Sequence, residues 1–293
     1  MSEILIHSLK HTCKDAITIL PILFLAYLIM EFMEQKTEAK TNQMIRKSGK
    51  MGPLYGALFG VLPQCGFSGA ASSFYAGRVI TVGTLIAVYL STSDEMLPIL
   101  ISEKVPVVMI IKILALKALI GFIFGFLIDL AVRATRGRRK QAKVEEIDIH
   151  SLCEHDKCNC KENGIWLSAL LHTLKIMIFI MAVSFVLNVV LKTVGNERLS
   201  GLIINKPIIS ELIAGLIGLI PNCAASVVIT KLYVEGVLSF GAMMSGLLVG
   251  AGIGLLVLYR SNKNLKKNLA ITGILYFCGV VSGIIIEILG LSV

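Results

Sequence analysis

Six stretches of this chain, residues 16–33, 79–102, 105–132, 166–191, 237–258 and 268–290, are predominantly apolar. Each is close to or longer than the roughly 18–20 residues with which a helix crosses a bilayer. A chain carrying six such segments has no soluble fold that could bury them all, so it reads as an all-α polytopic membrane protein. Composition agrees: 55% of the 293 residues are hydrophobic and 16% charged, against about a quarter charged in soluble domains. The formal charge of +9 lies in short loops between apolar runs, where positive-inside bias accounts for it, and nucleic-acid binding is excluded. The first run ends at Met33 between Glu31 and Glu34 without a small-residue cleavage site, which predicts a retained span and not a signal peptide. Seven cysteines are an odd number, and Cys13, Cys65, Cys223 and Cys278 lie in or beside apolar segments, so a disulfide framework is not expected.

The sequence contains itself twice. GVLPQC at Gly60–Cys65 recurs as GLIPNC at Gly218–Cys223, an offset of 158 residues. The same offset carries Tyr75 onto Tyr233, Gly83 onto Gly241, and the series Gly121, Gly125, Asp129 onto Gly279, Gly283, Glu287. Upstream, the His11 to Lys14 string matches His172 to Lys175 at an offset of 161. The expected organisation is a first membrane repeat at 1–132, a hydrophilic linker at 133–165 and a second membrane repeat at 166–293.

Loop charge predicts that the halves are inverted. Residues 34–50 carry Lys36, Lys40, Arg46, Lys47 and Lys50, whereas the equivalent 192–206 carries Lys192, Arg198 and Lys206. The other equivalent pair reverses: Glu103 and Lys104 occupy 103–106, while Arg260, Lys263, Lys266 and Lys267 occupy 259–267. Positive loops that swap between equivalent places are what inverted halves require. The linker, with Arg133, Arg136, Arg138, Arg139, Lys140 and Lys143, is then cytoplasmic, and the N-terminus outside, in the plasma membrane. Residues 52–77 and 207–235 are each interrupted by Pro63 or Pro221, which cannot donate to a helical ladder. Each is expected to form a re-entrant hairpin of two short helices, leaving three full crossings per half and about ten helical elements in all. Non-helical backbone at that depth must be buried in protein or line a cavity.

Within the run 79–102 stands Ser91-Thr92-Ser93-Asp94-Glu95, and its counterpart from Val249 to Gly254 is glycine-rich and uncharged. Adjacent carboxylates inside a span are costly unless paired or coordinated, so Asp94 and Glu95 are candidate ligands of an intramembrane cation; the alternative is a helix end in an interfacial loop. Cys65 with Gln64 and Cys223 with Asn222 form polar tips on the two hairpins. Their thiols suit a soft ion and the carboxylates and amides a hard one such as manganese, while small buried cysteines are also ordinary packing residues. Lys117, midway along 105–132, could neutralise Asp94 or Glu95 in the unloaded state and so couple release to protonation, unless it snorkels. Lys112 lies about 140° away around the same helix. The glycine series has the small-xxx-small spacing of close helix packing and is assigned to structure alone. In the linker, His150, Cys153, His155, Cys158 and Cys160 offer nitrogen and sulfur ligands within a short stretch, with Glu154 and Asp156 nearby. The spacing is not that of a zinc finger, and a merely solvated linker remains the alternative. His172 is read as a helix-end histidine.

The run from Gly60 to Ser102, with its PQCG and STSDE strings and its weaker second copy from Gly218, resembles a family of ten-helix heavy-metal exporters, members of which are labelled arsenic efflux proteins or manganese transporters. The resemblance covers essentially the whole chain. It implies export of a metal or metalloid without an ATPase domain, and it implies roles for Pro63, Gln64, Cys65, Ser91, Thr92, Ser93, Asp94, Glu95, Pro221, Asn222 and Cys223. The expected function is a secondary transporter exporting a divalent transition metal such as manganese, or an arsenic species. A channel, or a permease for a small organic solute, is the alternative. An intramembrane enzyme using Cys65 or Cys223 with His172 as base is disfavoured, since no base stands at matching depth in both copies. No Walker loop is present. No cofactor is expected beyond the transported ion and a metal the linker could hold. The partners are that ion and the lipid bilayer, and the oligomeric state stays open, a homodimer included.

Overall fold

The computed structural model describes residues 49–62, 65–93, 96–135, 208–220 and 223–291, with scattered positions between 20 and 44 and between 166 and 181. The expected spans at 16–33 and 166–191 and the linker at 133–165 fall almost wholly outside the described residues. The described chain is helical throughout. After a 3₁₀ turn at Gly49–Met51 come α1 (Gly52–Gly60), α2 (Cys65–Ala76), α3 (Val82–Ser91), α4 (Met96–Ser102) and α5 (Val107–Thr135). Then follow α6 (Ile209–Gly218), α7 (Cys223–Val234), α8 (Phe240–Val249), α9 (Ile253–Ser261) and α10 (Leu265–Ile288). The bounds of α2 and α7, and of α3 and α8, coincide at the offset of 158 residues that relates the two sequence copies.

Among the described residues four segments are long and apolar enough to cross a membrane: Val82–Ser102, Val107–Ala134, Phe240–Ser261 and Leu265–Ile288. The first combines α3 with α4 and the third α8 with α9, so two of the four are interrupted helices. By contrast α1, α2, α6 and α7 have 9 to 12 residues, roughly 14–18 Å at 1.5 Å per residue, about half a bilayer core. Helix α1 gives way to a turn at residues 61–62 and α6 to one at 219–220, just before Pro63 and Pro221 in the sequence.

The centre of the fold is the pair α3 and α8. Every residue from Gly83 to Ser91 and from Phe240 to Val249 is buried, and the two helices touch each other. Around α3 pack α1 and α5; around α8 pack α6 and α10. The outward faces of those flanking helices are apolar, with Val107, Ile111, Leu119, Ile123 and Phe126 on α5 and Leu269, Phe277 and Ile288 on α10 all exposed. Such stripes suit lipid, not water.

Glycine lets the flanking helices approach. A Cβ on Gly125 would stand 2.6 Å from the Gly83 carbonyl oxygen, and one on Gly283 would stand 2.6 Å from that of Gly241. A carboxylate from the same flanking helix then caps the central helix. Asp129 Oδ1 accepts from the Gly83 amide at 2.9 Å and Oδ2 from the Thr81 hydroxyl at 2.6 Å. In the second half Glu287 Oε2 accepts from the Gly241 amide at 3.0 Å. Thr81 and Ser239 complete the caps by accepting from the Thr84 and Ala242 amides. A negative group at a helix N-terminus satisfies orphan amides and complements the helix dipole.

These contacts predict that Gly125→Ala and Gly283→Ala each destabilise the protein by about 1–3 kcal/mol through overpacking. Gly273→Ala is neutral or slightly stabilising, because nothing lies within 4 Å of the added methyl. Unfolding in detergent, followed by circular dichroism, measures all three.

Candidate functional site

The two interrupted helices break at neighbouring places. The α3 helix ends at Ser91, and Thr92 turns to extended backbone with φ −54 and ψ 128. A break inside protein strands the last carbonyls of the preceding helix and the first amides of the next. At the first break the Thr92 amide donates to Val88 O at 3.0 Å, and hydroxyls add to that tie. Thr92 Oγ1 donates back to Val88 O at 2.8 Å, and Ser93 Oγ donates to Val61 O at 2.7 Å, tying the break to the end of α1. Ser91 faces elsewhere: its hydroxyl donates to Ala87 O at 2.8 Å and lies against Gly60 of α1.

In the second half the break falls at Gly250, Ala251 and Gly252. Gly252 has φ 53 and ψ −137, a conformation that only glycine adopts readily. Because α8 stops at Val249, the Leu247 carbonyl is among those its own helix leaves unsatisfied. Lys117 supplies the donor: its Nζ lies 2.7 Å from Leu247 O. Lys117 is 1% exposed, although it sits inside a span. Lys112, on the same helix, is exposed. The ammonium of Lys117 is therefore held in the protein interior and does not snorkel, and it joins α5 of the first half to α8 of the second.

Thr92, Ser93, Met96, Lys117, Ser226, Leu247 and Gly250 line one small pocket between the breaks. It has room for about one water-sized sphere. Its walls offer hydroxyls from Thr92, Ser93 and Ser226, a thioether from Met96, and the ammonium of Lys117. A Cβ on Gly250 would stand 3.4 Å from Ser226 Oγ, an ordinary contact that places α7 beside the break. A buried hydrogen-bond cluster also ties the halves together. Ser72 Oγ and Tyr89 Oη are 2.6 Å apart, and both lie within hydrogen-bond reach of Gly254 O of α9, at 2.7 and 3.0 Å.

Of the residues singled out from sequence, Thr92, Ser93 and Lys117 meet at the pocket, and Ser91 packs against α1. Pro63, Gln64, Asp94, Glu95, Pro221, Asn222 and the linker residues His150, Cys153, His155, Cys158 and Cys160 lie outside the described residues. Cys65 and Cys223 begin α2 and α7. No group of three or more His, Cys, Asp or Glu side chains occurs among the described residues. Sequence reading overlooked Ser72, Tyr89, Met96 and Ser226. Ser68 and Ser72, four residues apart on α2, and Tyr89, two residues before the STSDE string, were the available signals.

Comparison with known proteins supplies the family. A family model described as "Putative, 10TM heavy-metal exporter" matches residues 1–192 and again 173–292. No curated protein and no solved structure matches. With the two matches together covering nearly the whole length, and with helices long and apolar enough to cross a membrane among the described residues, the chain belongs to this ten-helix family of heavy-metal exporters and is a membrane protein.

Proposed function

We propose that this protein is a secondary transporter that moves a metal ion out of the cytoplasm, a divalent transition metal such as manganese ahead of an arsenic species. The observation that carries this reading is the pocket between two helix breaks, sized for about one water-sized sphere and lined by oxygen donors. A dehydrated ion fits that space and an organic solute does not. Ser93 and Met96 both line it, and the chain joining them carries Asp94 and Glu95. Two carboxylates beside hydroxyl and carbonyl oxygens make a hard donor set, which favours manganese or magnesium over a thiophilic ion. Cys65 and Cys223, at the first positions of α2 and α7, would serve an arsenic species instead.

The halves act as inverted repeats around this site, each with a re-entrant hairpin made of α1 with α2 or α6 with α7. The swap of positive charge between equivalent loops supports inversion, and the half-bilayer length of those helices supports re-entrance. Alternating access then follows as rocking of one half against the other around a fixed site. Lys117 is the coupling residue. Its ammonium occupies the pocket wall at Leu247 O, where it balances the carboxylates when no ion is bound; an arriving dication adds positive charge, so Lys117 must withdraw or lose its proton. That links each ion carried to movement of a proton.

Asp94→Asn and Glu95→Gln should each abolish export while preserving folding, because the amide keeps the shape but not the charge that replaces the ion's hydration. Cys65→Ser and Cys223→Ser should leave manganese export within a few-fold of the parent and eliminate protection against arsenite only if arsenic is the cargo. Survival of deletion cells in manganese and in arsenite, with each variant's expression checked, decides between them. Full protection by both acid-to-amide variants would remove the carboxylate site.

Lys117→Gln should retain ion binding but lose uphill export at least about tenfold, since exchange no longer depends on a proton. Proteoliposomes assayed for ion exchange and for proton-driven accumulation separate the two activities. For topology, cysteines introduced beside Lys47, Arg138 and Lys263 should be protected from an impermeant reagent in intact cells, while a tag at the N-terminus is accessible. Labelling of the Lys47 and Lys263 positions on opposite faces would contradict inverted halves.

A further inference from the structure

The two equivalent seams between the halves are closed by different means. On one, α2 of the first half packs extensively along α9 of the second, with Ser72 and Tyr89 hydrogen-bonded to Gly254 O. On the other, α4 meets α7 over a much smaller contact. That seam is bridged by an ion pair between Glu103, at the end of α4, and Lys231 of α7. The pair is largely removed from water, with the side chains 15% and 7% exposed. Its counterparts at the offset of 158 residues are Ser261 and Ser73, both uncharged. Ser73 donates within its own helix to Gly69 O at 3.3 Å, and the Ser261 hydroxyl is buried with no partner. At these equivalent positions the charges stand on one seam alone.

Lys231 also has a second carboxylate within reach. Glu235 Oε1 lies 3.9 Å away, one turn along the same helix, and Glu235 is 41% exposed. Parting a buried ion pair is strongly unfavourable when one charge is left alone. Here Lys231 can exchange Glu103 for Glu235 as the seam opens, while Glu103, at a helix end next to the exposed Lys104, passes into water. A contact with two discrete arrangements of similar energy is what a gate requires.

We propose that Glu103 and Lys231 are positioning residues that latch the outward gate of the transport cycle. This rests on the reading of the chain as an alternating-access exporter, in which the α4–α7 seam lies on the outer side. The latch holds that seam shut while ion enters from the cytoplasm, and its partner exchange lets the seam part for release.

Two measurements on the full-length protein test it. In lipid nanodiscs, Glu103→Gln should speed amide exchange in α4 and α7 by roughly tenfold or more and leave α2 and α9 unchanged; the charge swap Glu103→Lys with Lys231→Glu should restore protection. In proteoliposomes, the double variant Glu103→Cys with Lys231→Cys should lose manganese and arsenite counterflow when oxidised and regain it with dithiothreitol, while either single variant is indifferent to oxidation. Failure of the disulfide to form, undiminished counterflow in the oxidised protein, or exchange that rises equally at both seams would overturn the latch. If the unmodified protein carried neither ion, the transporter reading would fail, and the exchange experiment would still judge the latch by itself.

Discussion

A helix that stops in the middle of a membrane leaves backbone carbonyls and amides with no water to turn to, and the protein around it must satisfy them. That constraint organises this fold. The break after α8 is answered by Lys117 on the Leu247 carbonyl, and the end of α1 by Ser93 on the Val61 carbonyl. Ser72 and Tyr89 on the Gly254 carbonyl add a further tie. The first and the last of these contacts cross from one half to the other. The groups that make broken helices tolerable thus also join the halves, and the pocket lies among them.

The central helices can be broken because their flanks are secured. Gly83 against Gly125 and Gly241 against Gly283 bring backbones into contact, and Asp129 and Glu287 cap the N-termini of α3 and α8. Each central helix is then fixed at the end away from its break. The segments beyond the breaks, α4 and α9, are the parts that touch α7 and α2 of the opposite half.

Much of this was legible in the sequence because it follows from local chemistry. Pro63 and Pro221 cannot sit in a continuous ladder, so the interruptions of 52–77 and 207–235 could be placed from spacing alone. The offset of 158 residues located equivalent helices, and the angle between Lys112 and Lys117 around α5 meant that at most one of them faces any given partner. Other features depend on contacts between distant segments and carry no local signal. Ser91 belongs to the same polar string as Ser93, yet one residue of rotation turns it to Gly60 of α1 and away from the pocket. Tyr89 reads as an ordinary aromatic in an apolar helix until Gly254, 165 residues later, is brought beside it. Glu103 and Lys231 each look like a solvated loop or helix-end charge, and only the packing of α4 on α7 makes them a pair.

The halves share a scaffold but not a chemistry, and the difference shows at the pocket that Lys117 and Leu247 line. At the offset of 158 residues, Lys117 corresponds to Leu275, Tyr89 to Leu247 and Ser72 to Thr230. Leu275 is fully buried, so the second half has replaced an interior ammonium with packing. Thr230 retains the hydroxyl of Ser72, but where Ser72 finds the Tyr89 hydroxyl, Thr230 faces a half in which leucine stands instead, and its Oγ1 is buried without a partner. The shared glycine contacts and carboxylate caps hold α3 and α8 in the same way in both halves. The buried ammonium of Lys117 and the hydroxyl of Tyr89 have only leucine at the equivalent positions, so the pocket takes its charged group and two of its three hydroxyls, Thr92 and Ser93, from the first half and only the Ser226 hydroxyl from the second.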